Sequence, residues 1–60
     1  MASDREKIEA LKKLKRADIH HGPNGQVLIW ELESPFNEAY GKDWDQALEH
    51  LVKSQKRNNQ

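Results

Sequence analysis

The stretch Ala17-Asp-Ile-His-His-Gly-Pro-Asn-Gly-Gln-Val-Leu-Ile-Trp-Glu-Leu32 decides the fold of this chain. It predicts a β-hairpin, because Gly22 to Gly25 combines glycine, proline and asparagine, the residue types that favour a reversal of the backbone. We expect a short strand over Asp18 to His21 and a second strand from Gln26 to about Glu33. The run Val27 to Trp30 makes the second strand apolar on both faces, unlike a strand with one side in water.

A helix is expected on each side of this hairpin. The first, over about residues 4–17, begins at the capping-box pair Ser3 and Glu6. The last begins at the N-cap Asp43, after which apolar residues recur at the spacing of an amphipathic helix. Ser34 to Gly41 adds a short helix, since a capping serine, a proline in the first turn and a glycine at the end are typical of one.

The sequence therefore predicts the α+β class. We expect a small single domain over residues 1–60, with a two-stranded antiparallel hairpin packed on two helices in the order α-β-β-short α-α. Residues 3–57 are expected to be ordered. Residues 58–60 are expected to form a disordered tail, because Ser54 to Gln60 holds no large apolar residue.

The second strand has two faces of unequal apolar area. Alternation along the strand divides its side chains into two sets: Leu28, Trp30 and Leu32 point one way, and Val27, Ile29 and Glu31 point the other. We expect the first set to lie against the helices, because it carries more apolar area. The residues expected to be nearly fully buried are Leu28, Trp30, Leu48 and Leu51.

Length and charge limit the classes of function. So short a chain buries only about 60% of its unfolded surface, and it has no cysteine to form a disulfide. Ten acidic and ten basic residues give a formal net charge of zero, whereas a dedicated nucleic-acid binder usually carries net positive charge. The longest apolar run is far shorter than the roughly 20 residues of a membrane span, and the N-terminus has no apolar signal segment. We therefore expect a cytoplasmic protein.

Histidines and carboxylates are the only candidates for chemistry. His20 and His21 are adjacent in a strand and so point to opposite faces, while His50 lies on the last helix. This set offers too few converging ligands for zinc, so we expect no metal and no other cofactor. Glu31 and Glu33 could share a face, but acid–base work by paired carboxylates needs a cleft, for which so short a chain leaves little room. No catalytic residue and no enzymatic activity are expected.

The surplus of apolar residues on the second strand indicates a partner. Two helices can cover one face of a two-stranded hairpin but hardly both, and its unpaired edges invite another chain. We expect Val27, Ile29 and Glu31 to contact either a second copy by strand pairing or a different protein by β-augmentation. The alternative is that Phe36 to Trp44 folds back over this face and closes a monomer. The expected function is that of a regulator or inhibitor of the kind that phages and mobile elements encode.

A second pattern joins the first helix to the hairpin: Leu11-x-x-Leu14-x-x-Ala17-x-Ile19, followed by Gly25-x-Val27-x-Ile29-x-x-Leu32. Over residues 8–32 it resembles the recognition-helix-plus-wing half of winged-helix DNA-binding domains. The resemblance implies nucleic-acid binding as an alternative function. The residues that it assigns to phosphates or base edges are Lys12, Lys13, Lys15 and Arg16, with Asn24 at the tip of the wing. The chain departs from that family because too few residues precede Ile8 to form the supporting helices.

The basic cluster at the end of the first helix has a simpler interpretation as well, since cations complement the negative end of a helix dipole. The layout of one helix, a hairpin with a histidine and a closing helix is also similar to small double-stranded-RNA-binding-like toxins. Their third strand and their basic character are missing from the predicted layout.

Overall fold

Two helices lie on one side of a three-stranded antiparallel sheet in the computed structural model, which describes residues 2–58. In chain order the elements are α1 (Asp4–Lys13), β1 (Ala17–His21), β2 (Val27–Glu31), β3 (Glu38–Gly41) and α2 (Trp44–Asn58). The sheet order is β1-β2-β3, α2 packs on β3 and β2, and α1 packs on α2. The predicted α+β class with two helices and a hairpin is confirmed, and a third strand is added to it.

α1 begins at the predicted capping box. Ser3 Oγ accepts the N–H of Glu6 at 3.2 Å, and Glu6 Oε1 accepts the N–H of Ser3 at 3.1 Å. The helix ends at Lys13, earlier than expected, because Leu14 adopts an extended backbone and packs against the core from that position. The chain is thereby directed into β1.

Glu38 to Gly41 forms a strand, whereas the sequence predicted a short helix over Ser34 to Gly41. The N–H of Glu31 donates to the carbonyl of Asn37 at 2.9 Å, which fixes the approach of the third strand to β2. Phe36 has a φ of 58°, which is not right-handed helical backbone. The prediction of a short helix was wrong because its signals are local, whereas pairing with β2 is a tertiary interaction that overrides them.

Gly41, predicted as the end of a helix, instead allows a close approach between β3 and α2. A Cβ at this position would lie 2.2 Å from the backbone nitrogen of Ala47. Any side chain here would therefore push the helix away from the sheet.

The face of β2 that packs against the helices is the one that was predicted to point away from them. Val27 and Ile29 are both 0% exposed. On the other face Leu28 and Trp30 are only half-buried, and the following Leu32 is 46% exposed. The alternation of side chains matches the prediction, but the choice between the two faces was wrong.

The shallow layer between helix and sheet explains which face is buried. Because Gly41 brings α2 so close, the layer accepts small and medium side chains, and an indole does not fit there. Apolar area, the basis of the sequence prediction, takes no account of this depth. Of the other residues predicted to be core, Leu51 is fully buried and Leu48 is half-buried. The buried apolar residues are Ala10, Val27, Ile29, Ala39, Ala47, Leu51 and Val52.

α2 continues to Asn58, although the lack of large apolar residues after Ser54 predicted a frayed end. Polar contacts hold this part of the helix. Gln55 Nε2 donates to the carbonyl of Ala10 at 2.8 Å, and Ser54 Oγ donates to Asn37 Oδ1 at 2.8 Å. The end of α2 is thus joined both to α1 and to the turn before β3.

The predicted disordered tail falls mostly outside the structure. Asn58 is helical, and residues 59–60 lie outside the described residues. Between residues 2 and 58, neither helix is long and apolar enough to cross a membrane.

Candidate functional site

The side of the sheet away from the helices carries the largest side chains of the strands. The strand register aligns these side chains in rows across the sheet. We define the open face by two such rows and by Leu32 at the end of β2: Asp18, Trp30 and Glu38 form the first row, and His20, Leu28 and Tyr40 form the second. Both helices pack on the opposite side, so the described part of the chain places no helix over this face.

Aromatic stacking orders the centre of the open face. The rings of His20 and Trp30 stack with their centroids 4.8 Å apart and an interplanar angle of 27°. The two residues are diagonal neighbours on β1 and β2, a separation that aromatic side chains can bridge. Tyr40, on the other side of Leu28, is 55% exposed. The open face is therefore an apolar surface on which the imidazole of His20 holds the indole of Trp30 in place.

Two carboxylates flank Trp30. Asp18 and Glu38 are exposed and lie on either side of the indole in the register of the sheet. The ion pairs formed within residues 2–58 involve neither carboxylate, although Lys53 and Arg57 of α2 line a groove together with Glu38 and Tyr40 at the β3 edge. The faces of aromatic rings and carboxylates both attract cations. This end of the open face is therefore suited to a cationic side chain.

The two edges of the sheet differ. At β3 the Nδ1 atom of His50 lies 2.5 Å from the carbonyl oxygen of Tyr40, and α2 packs along the strand. Because a carbonyl only accepts, Nδ1 carries the proton of this imidazole. At β1 the helices reach only the end of the strand within residues 2–58, where Trp44 of α2 stacks on His21, and most of the strand is exposed. β1 is therefore the open edge, and β2, the strand predicted to pair with another chain, already has neighbours on both sides.

The side chains predicted to contact a partner are buried in the protein itself. Val27 and Ile29 lie in the core. Glu31 is 6% exposed, and its Oε1 accepts the backbone N–H of Asn37 at 3.1 Å and the side-chain Nδ2 at 2.6 Å. The expectation that these residues form a contact surface is corrected, because the third strand and α2 occupy the edge and the face that a lone hairpin would leave free. The covering element is α2 rather than the segment Phe36 to Trp44.

The basic residues assigned by the winged-helix resemblance are exposed but do not lie beside Asn24. Lys12 and Lys13 end α1, and Lys15 and Arg16 lie in the connection to β1. Asn24 lies in the hairpin turn at the other end of β1, roughly 20 Å away at the rise of an extended strand. A nucleic acid that contacts both would have to follow the length of the hairpin. The resemblance itself stays a prediction.

Two groups with shifted pKa values join α1 to α2. The N–H of Ser3, and then the Nζ of Lys56 at 3.0 Å, hold the pKa of the Glu6 carboxyl below its usual value. Asp45 Oδ1, 3.0 Å from Lys7 Nζ, raises the pKa of that lysine. Each shift favours the charged form that takes part in the ion pair.

The histidines do not converge on a common point. His20 stacks on Trp30, and His21, on the opposite face, stacks on Trp44 with the centroids 6.4 Å apart. His50 lies at the other edge of the sheet. Across residues 2–58, no three or more His, Cys, Asp or Glu side chains are grouped so that they could hold a metal ion.

Glu38 and Tyr40 are residues of the open face that sequence analysis missed. They were assigned to a short helix, in which they would not share a face of a sheet. The signal that could have found them is the alternation of large and small residues in Glu38-Ala39-Tyr40-Gly41, which has the period of a strand.

No protein-family model matches the chain, and no curated protein or solved structure matches it. Function is therefore inferred from the geometry of the open face and of the β1 edge.

Proposed function

We propose that this protein is a small non-enzymatic interaction module that binds a partner protein through the open face. The observation that carries this proposal is the choice of buried face. β2 buries Val27 and Ile29 and leaves Leu28 and Trp30, which belong to the face with more apolar area, only half-buried. Apolar surface left in water costs free energy, and a contiguous patch of it marks a binding surface on a small protein. The role we assign is that of a cytoplasmic regulator or inhibitor.

The row of Asp18, Trp30 and Glu38 indicates the chemistry of the partner. A guanidinium group can stack on the free side of the indole and donate hydrogen bonds to the carboxylates beside it. Apolar side chains next to that arginine would then lie over Leu28 and Tyr40. The partner is thus a protein whose contact surface presents an arginine flanked by apolar residues.

A peptide titration tests this chemistry. A short peptide with one arginine between leucines, and a matched peptide with glutamate in its place, are added to ¹⁵N-labelled protein. We expect the arginine peptide to shift the Trp30 indole N–H resonance and the amides of Leu28 and Tyr40, and the glutamate peptide to leave them unchanged. Equal shifts with both peptides, or shifts confined to α1 and α2, would contradict the proposed partner chemistry.

Two matched pairs of variants test the binding surface in the native host. Tyr40→Lys and Glu38→Lys change the open face, whereas Phe36→Lys and Glu33→Lys change exposed residues of the same types outside the strands. The first two should reduce capture of the partner at least about tenfold, the equivalent of about 1.4 kcal/mol of binding free energy. The second two should bind as the unmodified protein does. Equal capture by all four variants would refute the open face as the binding surface.

A second candidate function is nucleic-acid binding through the basic end of α1. It is favoured by the joint exposure of Lys12, Lys13, Lys15 and Arg16, and by the third strand, which removes one difference from double-stranded-RNA-binding-like toxins. An electrophoretic shift assay with a salt titration separates it from the first proposal. Phosphate-driven binding weakens steeply as salt rises, and Lys12→Gln with Lys13→Gln should reduce that slope. The contact of an apolar protein surface should change little.

A further inference from the structure

The outward backbone groups of β1 have no partner among residues 2–58. At one end of the hairpin the N–H of Gly22 donates to the carbonyl of Gln26 at 2.8 Å. At the other end the N–H of Leu32 donates to the carbonyl of Arg16 at 2.8 Å. Because hydrogen-bonded pairs alternate along an antiparallel ladder, the even-numbered residues of β1 bond to β2. The N–H and C=O groups of Ala17, Ile19 and His21 therefore point away from the sheet. None of the hydrogen bonds within residues 2–58 reaches them.

We propose that a second copy of this chain pairs along the β1 edge, antiparallel and symmetric about Ile19. This register sets position 17 opposite position 21 and position 18 opposite position 20 of the second copy. Each Asp18 then lies opposite a His20 in a non-hydrogen-bonded pair, where side chains are closest. An imidazole N–H donates to a carboxylate whether the ring is neutral or protonated. The two-fold axis repeats this favourable pair on the other side of Ile19.

Ile19 supplies the apolar part of the contact. It lies on the same face as the core residue Ile29, its partner in the register, yet it is 46% exposed because neither helix covers this middle part of β1. In the symmetric pairing the two Ile19 side chains meet at the two-fold axis and remove each other from water. Dimerisation along the β1 edge thus buries apolar area of Ile19 that the monomer leaves exposed.

Neighbouring registers of the same pairing are less favourable. A shift in one direction sets Asp18 opposite the Asp18 of the second copy, and directly opposed like charges destabilise a sheet. A shift in the other direction sets His20 opposite His20 and leaves both Asp18 carboxylates without a partner. The sequence Asp18-Ile19-His20 is complementary to itself only in the register centred on Ile19, which favours a second copy over an unrelated strand.

The other edge of the sheet is less suited to a second pairing of this kind. At β3, His50 of α2 contacts the outward carbonyl of Tyr40, so a further strand would find this acceptor already in use. Pairing through β1 alone forms a closed two-fold assembly instead of a fibre. It leaves Leu28, Trp30 and Glu38 uncovered, whereas Asp18 and His20 of the open face take part in the pairing.

Sedimentation velocity over roughly 1 μM to 1 mM protein tests the pairing. We expect the unmodified chain to shift from monomer to dimer within this range. Ile19→Lys places a charge on the axis and should stay monomeric throughout. Ile8→Lys, a matched change at an isoleucine that is 53% exposed on α1, should dimerise as the unmodified chain does. Circular dichroism verifies that each variant is folded.

A charge exchange keeps the proposal testable if Ile19→Lys unfolds. His20→Asp makes both open-face residues of β1, at positions 18 and 20, acidic. Asp18→Lys combined with His20→Lys makes both of them basic. Each variant alone should be monomeric, because like charges meet across the axis, and an equimolar mixture should form a heterodimer. In the unmodified dimer, isotope-filtered spectra should show a contact between the Hα of Asp18 and the Hα of His20 in the other copy. A chain that stays monomeric at 1 mM, Ile19→Lys that still dimerises, or a mixture that does not associate would overturn the pairing.

Discussion

Asn37 joins three parts of the molecule through one side chain. Its Nδ2 donates to the buried Glu31, and its Oδ1 accepts from Ser54 on α2. Asn37→Ala leaves the carboxylate of Glu31 with one donor fewer in a buried position, so we expect a loss of about 1–3 kcal/mol in the free energy of unfolding. Urea denaturation measures this, with the exposed turn variant Asn24→Ala as the control. Equal stability of the two variants would show that Asn37 is not a structural centre.

The lowered pKa of Glu6 makes part of the stability dependent on pH. The unfolded chain takes up a proton at this carboxyl near the ordinary pKa of 4.5, whereas the folded chain resists protonation. The contribution of Glu6 is therefore present above the unfolded pKa and lost as the pH falls through the folded pKa. We expect Glu6→Gln to lose less stability on acidification than the unmodified chain, and Glu33→Gln to behave as the unmodified chain does. Urea melts at neutral pH and at about pH 3 measure the difference; parallel losses in all three chains would contradict it.

The same residues show what a sequence can predict at this scale. Ser3 and Glu6 lie three residues apart, so their mutual capping follows from local spacing alone. Glu31 and Asn37 meet across a turn that was predicted to be helical, and no local pattern marks their contact. Residue-scale prediction therefore succeeded where both partners belong to one turn of helix, and it failed where tertiary structure brings them together.

At the scale of elements, Gly41 sets the distance between β3 and α2. In Gly41→Ala the new Cβ would clash with the helix backbone at Ala47, which cannot move alone. We expect a loss of about 1–3 kcal/mol, the usual cost of overpacking. Gly22→Ala is the control, because the atoms nearest to its Cβ belong to the flexible side chain of Gln26. Thermal melts should separate the two variants, and a silent Gly41→Ala would show that the helix can withdraw from the sheet without cost.

Elements with a strong internal period could be predicted, and those that depend on pairing could not. The apolar spacing after Asp43 placed α2 correctly at its start, where Asp43 Oδ1 accepts the N–H of Gln46 at 2.9 Å. β3 is only four residues long, and the helix-capping signals of Ser34 and Gly41 outweighed its alternation. Its existence depends on the hydrogen bonds that β2 offers, which no single segment encodes.

At the scale of the whole molecule, one shallow layer of small side chains determines both the core and the exposed surface. The class of fold could be predicted from the order of patterns along the chain. Which face of β2 is buried could not, because it depends on the distance between α2 and the sheet. The candidate partner residues were assigned wrongly for the same reason, because Val27 and Ile29 belong to the core, whereas Leu28 and Trp30 belong to the open face.

Thermal melts of Ile29→Lys and Leu28→Lys test the burial of the smaller face most directly. The two residues are adjacent in β2 and receive the same charge, so the face they occupy is the main difference. Burying an unpaired ammonium in the core costs more free energy than the whole folding stability of so small a domain. Ile29→Lys should therefore be unfolded at room temperature. Leu28→Lys should stay folded, with a Tm within a few degrees of the unmodified chain. An unfolded Leu28→Lys beside a folded Ile29→Lys would contradict the account, since the helices would then cover the larger face.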